Sequence, residues 1–111
     1  MTLGLNDYQL KALSTAVYPK DQGKEYTILG LVGEAGEVAN RYKKLVRKWP
    51  EDNAVLFDAY HDLADELGDV LWYLAAVAHE LGYTLEDIAS MNLSKLALRQ
   101  SKGTLDSRGE R

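Results

Sequence analysis

The feature that most constrains the fold is a run of apolar residues at helical spacing between residues 53 and 81. Its members recur three and four positions apart and therefore share one helix face; they are Leu63, Leu67, Val70, Leu74, Val77 and Leu81. Such a seam is typical of a helix that packs along a neighbour in a bundle. The sequence therefore predicts a long helix over residues 53–81, with Gly82 as its natural stop.

Three further helices are predicted from the same periodicity, and no segment reads convincingly as a strand. They are expected at about residues 7–18, 26–49 and 84–101. Asn6 is the expected N-cap of the first, with the glutamine three residues later reaching back to it. Thr84 is the expected N-cap of the last, with an acid at its third position. The predicted fold class is therefore all-α and four-helix-bundle-like.

The 111 residues suffice for one domain with a modest core. We expect a single all-α domain over residues 1–101 and a charged tail over residues 102–111. Helices two and three are long for so short a chain. Tyr42, Trp49 and Trp72 are also more large aromatic side chains than a small monomer readily buries. A homodimer or homotetramer, whose core includes subunit contacts, is therefore expected.

Composition narrows the possible functions. The absence of cysteine excludes disulfides, thiolate metal sites and thiol nucleophiles. A formal net charge of −4 argues against a nucleic-acid partner, because such binding depends largely on Lys and Arg pairing with phosphates. No run approaches the roughly 18 apolar residues of a membrane span, and the first residues lack a secretory pattern. We expect a cytoplasmic protein without a membrane partner.

Two pairs of acids are the strongest chemical signal. Glu34 and Glu37 lie on the second predicted helix, and Glu66 and Asp69 lie on the third. Each pair is spaced i, i+3, so its two side chains project from nearly the same side of their helix. Magnesium favours oxygen ligands, and two such pairs on facing helices can supply carboxylates to one or two ions.

A helical wheel ranks these acids. Glu66 and Asp69 fall beside the apolar seam, where a half-buried site is lined, whereas Glu37 lies further from its apolar stripe than Glu34. Each glycine inside these helices costs up to about 1 kcal/mol of helix stability relative to Ala. Such glycines are therefore expected where another backbone or a ligand approaches closely. They are Gly30, Gly33, Gly36 and Gly68. The spacing alone leaves a solvated acidic surface equally open.

Three segments in order resemble the motifs of MazG-like nucleotide pyrophosphohydrolases. The first is GLVGEAGEV at residues 30–38, the second is DELGDVLWY at residues 65–73, and the third is NLSKLALR at residues 92–99. The 28 residues between Glu37 and Glu66 fit the arrangement of the first two motifs in that family. The resemblance extends over nearly the whole chain.

The resemblance implies an all-α nucleoside triphosphate pyrophosphatase that works as a dimer or tetramer. Its activity would be magnesium-dependent cleavage between the α and β phosphates, with Mn²⁺ as a substitute metal, in nucleotide-pool cleaning or control. The implied metal ligands are Glu34, Glu37, Glu66 and Asp69. The implied phosphate contacts are Lys95 and Arg99, with Asn92 lining the same site.

Phosphoanhydride hydrolysis needs positioning, charge neutralisation and an oriented water more than covalent help. We expect Glu37 to orient that water, because it faces furthest from the core, with Glu34 as second candidate. The basic block Arg41–Lys48 is interpreted as a solvated helix face, although Lys44 lies near Glu37 on the wheel and is a phosphate-contact candidate. Tyr73 shares the flank of the second acidic pair and is the base-pocket candidate.

Two alternatives remain open. The chain could be a non-catalytic helical oligomerisation or regulatory module whose acids are structural. Within the same chemistry, it could be a phosphoribosyl-ATP pyrophosphohydrolase, which the long first helix disfavours. A di-iron centre is disfavoured because ferritin-like sites need two Glu-x-x-His copies, and only the imperfect Asp58-x-x-His61 is present.

Overall fold

A computed structural model describes residues 2–104, which contain helices and no strand. The helices are α1 (Leu5–Leu13), α2 (Gly23–Arg47), α3 (Asn53–Glu80) and α4 (Leu85–Lys102), with a 3-10 turn at Lys20–Gln22 before α2. The predicted all-α class is confirmed. The predicted tail over residues 102–111 lies outside the described residues from position 105 onward.

The ends of α3 and α4 follow local sequence signals. Thr84 Oγ1 accepts a hydrogen bond from the Asp87 backbone N–H at 3.0 Å, and Asp87 Oδ2 accepts one from the Thr84 N–H at 3.1 Å. This reciprocal pair is the predicted cap of α4, and it satisfies two backbone donors that the first turn leaves free. Gly82 follows α3 with φ of 87°, a left-handed conformation that favours glycine.

The first helix differs from the prediction in both its cap and its length. Asn6 does not cap α1, since it lies inside the helix and bonds to α4 instead. Its Oδ1 accepts from the Glu86 N–H at 3.0 Å, and its Nδ2 donates to Glu86 Oε2 at 3.2 Å. The helix ends at Leu13, where the Ala12 carbonyl accepts from the Thr15 hydroxyl at 2.7 Å. Tertiary and side-chain hydrogen bonds therefore replace the expected local ones.

Helices α2 and α3 form an antiparallel hairpin, with Gly30 beside Tyr73 and Arg41 beside Glu66. The short α1 and the start of α4 pack on the C-terminal half of α3, and α4 makes no contact with α2 among the described residues. Gln9 of α1 is buried at this junction. Its side chain bonds to backbone groups of α3, of the α3–α4 connection and of α4.

One chain covers only part of its apolar surface. The described buried apolar residues are few and mostly small; they are Ala12, Tyr18, Ala75, Ala76, Ala78 and Leu85. By contrast, Val32 is 66% exposed, Leu67 55% and Trp49 48%. The Cα radius of gyration is 17.1 Å, whereas a compact chain of this size has about 13 Å. The predicted seams therefore exist, but much of them faces outward. No helix among the described residues is long and apolar enough to cross a membrane.

Candidate functional site

Three of the four predicted metal ligands converge at the middle of the α2–α3 hairpin. One carboxylate oxygen from each of Glu34, Glu66 and Asp69 lies within 4.8 Å of the other two. Glu34 and Glu66 are half-buried, and Asp69 is exposed. The i, i+3 spacing on α3 puts Glu66 and Asp69 on one side of the helix. The antiparallel crossing then brings Glu34 of α2 against them.

The donor set fits a hard divalent cation. Oxygens that share one Mg²⁺ at its usual bond length of about 2.1 Å are roughly 3 to 4 Å apart, so small side-chain rotations suffice to close this group. Carboxylates are the ligands that magnesium prefers in proteins, usually with several waters completing the octahedron. The open side at Asp69 leaves room for those waters or for phosphate oxygens.

The electrostatics of the group favour a cation as well. Burial raises the pKa of the Glu34 carboxyl, and the negative charges of Asp69, Glu66 and Glu37 raise it further. A raised carboxyl pKa means that the charged form is disfavoured where these acids meet. A bound divalent ion would remove that penalty and keep all of them ionised.

Glu37 does not join the group of three. Its Oε1 lies 3.6 Å from the Nε of Arg41, one helical turn later on α2. The same Nε lies 3.0 Å from Glu66 Oε1 on α3. Glu37 therefore lies at the edge of the carboxylate group, joined to it through an arginine.

An aromatic pocket adjoins the carboxylates. It measures about 330 Å³ and is lined by Glu34, Asp69, Trp72 and Tyr73. The two rings lie 4.9 Å apart and nearly perpendicular, at 76°. The Trp72 indole N–H donates to Ala12 O and to Thr15 Oγ1, both at 3.0 Å, which holds this wall against the end of α1. The base-pocket candidate Tyr73 thus lies beside two of the three converging acids.

Tyr73 is tightly placed. Burial raises the pKa of its hydroxyl, as do the charge and hydrogen bond of Tyr26 and the nearby charges of Glu34 and Asp69. On the α2 side its ring lies against the bare backbone of Gly30, where a β-carbon would come 2.6 Å from Tyr73 Cζ. The close approach expected at a helix-interior glycine thus occurs at Gly30. The Cβ positions of Gly33, Gly36 and Gly68 have no described atom within 4 Å.

The residues predicted to contact phosphate lie on two separate surfaces of the chain. Lys44 lines a cleft of about 520 Å³ between α2 and α3, together with Glu37 and Arg41. Asn92 and Lys95 line a shallow pocket of about 290 Å³ on α4. Arg99 lies one turn further along α4. Because α4 does not contact α2 among the described residues, this chain does not bring the third motif onto the first.

Sequence reasoning missed two residues near the site. The sequence prediction places Arg41 on a solvated helix face, although its i, i+4 spacing from Glu37 also indicates an ion pair. Tyr8 of α1 lies near Asp69, and burial and that charge raise the pKa of its hydroxyl. The proximity of Tyr8 to Asp69 depends on how α1 packs, and no local pattern predicts it.

A second group of possible metal ligands lies on the N-terminal half of α3. His61, Asp62 and Asp65 are close enough to share an ion, but all three are exposed. The His61 ring instead lies 3.7 Å from Asp65 one turn later. Asp62 also lines the cleft between α2 and α3, but this group lacks the burial and the aromatic walls that distinguish the site on the hairpin.

Comparisons with known proteins identify the family of this chain. Residues 22–104 match the model of the MazG nucleotide pyrophosphohydrolase domain. The "Gene 37 protein" of Mycobacterium phage L5 is 39% identical over 109 residues, which cover 93% of this chain and 94% of that protein. Its name states no activity. No solved structure matches the chain. The matched range spans α2, α3 and α4 and includes all three motifs, so the chain belongs to the MazG nucleotide pyrophosphohydrolase family.

Proposed function

We propose that this protein is a divalent-metal-dependent hydrolase that converts nucleoside triphosphates into monophosphate and pyrophosphate. The observation that carries the proposal is the convergence of Glu34, Glu66 and Asp69 beside an aromatic pocket, in a chain of this family. Such a reaction suits the cleaning or control of a cytoplasmic nucleotide pool.

The proposed roles of the site residues follow from their positions. Glu34, Glu66 and Asp69 would hold Mg²⁺, or Mn²⁺ in its place, and the ion would neutralise phosphate charge during transfer to water. Glu37, outside that group, is the first candidate to orient the attacking water, with Glu34 second. Tyr73 would hold the base end of the nucleotide in the aromatic pocket.

The proposal includes assembly into a homodimer or homotetramer. The outward apolar side chains of α2 and α3 need a covering surface, and the extended shape of one chain suits an intertwined core. A partner's α4 would bring Asn92, Lys95 and Arg99 toward the carboxylates that the same helix of this chain does not reach. The phosphate contacts of the third motif would then act between subunits.

Two other functions compete with this one. A non-catalytic oligomerisation module accounts for the exposed apolar faces but not for carboxylates gathered beside a pocket. A phosphoribosyl-ATP pyrophosphohydrolase shares the chemistry and differs in substrate. A nucleotide panel that includes phosphoribosyl-ATP separates these functions.

The test measures pyrophosphate release over that panel, with Mg²⁺ and with excess chelator, and identifies the nucleotide product by chromatography. We expect monophosphate and no diphosphate, and only with metal. Glu66→Gln should lower kcat/KM by at least about 100-fold, because losing even an outer partner of a metal ligand costs 10- to 100-fold. Asp58→Asn removes one charge from an exposed position on the same helix and should leave kcat/KM unchanged. Turnover in chelator, or full activity in Glu66→Gln, would refute the metal assignment.

A further inference from the structure

Among the described ion pairs, Arg41 is the one cation that contacts the candidate metal ligands of the α2–α3 hairpin. Its Nε lies 3.0 Å from Glu66 Oε1, which is hydrogen-bond distance, and 3.6 Å from Glu37 Oε1. The Glu66 side chain is only 13% exposed, whereas the Arg41 side chain is 47% exposed. The carboxylate in this pair is therefore held in place, while the guanidinium has open space on its other side.

Glu66 is positioned to pair with two positive charges, the Arg41 guanidinium and a divalent ion. It belongs to the group of three that fits a divalent ion, and it also pairs with Arg41. A divalent ion at that group would lie a few ångströms from the guanidinium, and like charges at that distance repel. The arginine and the ion are therefore competitors for the same carboxylate.

The open side of Arg41 faces the cleft between α2 and α3. Lys44 and Lys48 line the same cleft, three and seven residues after Arg41 and on the same side of α2. Neither lysine forms an ion pair among the described residues. The cleft also contains two acids, Glu37 and Asp62. The three cations outnumber these acids and make a surface suited to an oligophosphate, and arginine is the side chain best shaped for bidentate phosphate contacts.

We propose that Arg41 has two alternative anionic partners, Glu66 before a divalent ion binds and the phosphates of the substrate afterwards. This inference rests on the metal site of the proposed function. In the first state Arg41 supplies part of the positive charge that the crowded carboxylates need. Binding of the divalent ion releases the guanidinium toward the cleft of Lys44 and Lys48. Metal loading thereby prepares the phosphate-binding surface.

The two partners predict effects of opposite sign in Arg41→Gln. Binding of Mn²⁺ without nucleotide, measured by the electron paramagnetic resonance of the free ion, should tighten about fivefold, the size expected for loss of a half-exposed ion pair. Binding of inorganic pyrophosphate at saturating Mn²⁺, measured by calorimetry, should weaken about tenfold. If Arg41 were purely structural, Arg41→Gln would weaken the binding of both Mn²⁺ and pyrophosphate, because Glu66 would no longer be held in place.

Lys43→Gln is the matched control, because Lys43 is exposed on the same helix. Its substitution removes the same charge without touching the carboxylates. Mn²⁺ binding to Arg41→Gln that is no tighter than to Lys43→Gln would overturn the inference, and so would unchanged pyrophosphate binding. If either of these results is found while the wild-type protein binds Mn²⁺, only this inference fails and the proposed function stands. If the wild-type protein binds no Mn²⁺, the metal site of the proposed function fails, and this inference fails with it.

Discussion

Replacing Gly30 by alanine tests whether the bare backbone of α2 positions the Tyr73 ring. An alanine Cβ would lie 2.6 Å from Tyr73 Cζ and closer still to the nearest ring carbon. Ordinary contact begins at 3.4 Å, so Cζ alone must withdraw by about 0.8 Å. The ring has little space for this, because Trp72 packs on it with centroids 4.9 Å apart. Gly33→Ala is the matched control, because its Cβ would meet no described atom within 4 Å.

The magnitude follows from two opposing terms. Alanine in a helix interior is favoured over glycine by up to about 1 kcal/mol, and both variants gain this. Forcing an extra methyl into a packed contact costs about 1–3 kcal/mol, and only Gly30→Ala pays it. The free energy of unfolding of Gly30→Ala should therefore fall below that of Gly33→Ala by about 1–3 kcal/mol.

Urea unfolding of both variants, repeated in a Tyr73→Ala background, measures the coupling directly. Without the ring, Gly30→Ala should behave like Gly33→Ala. The displaced ring should also raise the KM for nucleotide in Gly30→Ala alone, with Mn²⁺ affinity unchanged. Gly30 does not position the ring if Gly30→Ala is as stable as Gly33→Ala, or if its effect is the same with and without Tyr73.

Two further predictions concern the packing that supports the site. Gln9→Met keeps the size of a buried side chain but removes its three hydrogen bonds, and it leaves the buried Leu85 N–H without the 3.1 Å bond to Gln9 Oε1. We expect a loss of about 2–4 kcal/mol in the free energy of unfolding, and a loss below about 1 kcal/mol would contradict it. Burial and the 2.7 Å hydrogen bond to Glu80 raise the pKa of Tyr18 from 10.0 to about 12. Between those values the unfolded chain gives up the proton and the folded one keeps it, so stability should fall by about 2–3 kcal/mol as the pH rises from 10 to 12. Tyr18→Phe should lack this contribution, and an unchanged difference from wild type across that range would contradict the assignment.

Local signals in the sequence determined the helices and their ends. The seam of α3 predicts the helix within one residue at its end, and Thr84 with Asp87 predicts the start of α4. Such signals work because helix periodicity and capping depend on residues only three or four positions apart. They fail at Asn6, whose partner Glu86 lies eighty residues away along the chain.

The sequence predicts two pairs of acids, but their spacing does not show which of the acids converge. The i, i+3 spacing of each pair follows from helix geometry alone, and the motifs indicated which pairs belong together. Which of the four carboxylates converge depends on how α2 is rotated against α3. That rotation brings Glu34 to Glu66 and Asp69 and leaves Glu37 to Arg41. The convergence is a property of the interface between helices, and no local pattern encodes it.

The same division holds for the rest of the site. Periodicity and motifs are enough to predict an all-α chain of the MazG family, with acids on two helices and cations on the last. Packing between helices determines that Arg41 lies against Glu66 and that Tyr73 lies against the bare backbone of Gly30. It also keeps α4 away from α2 in the described part of the chain. The physical reason is that helix propensity and capping act within a turn or two, whereas these contacts are selected by packing between helices distant in sequence.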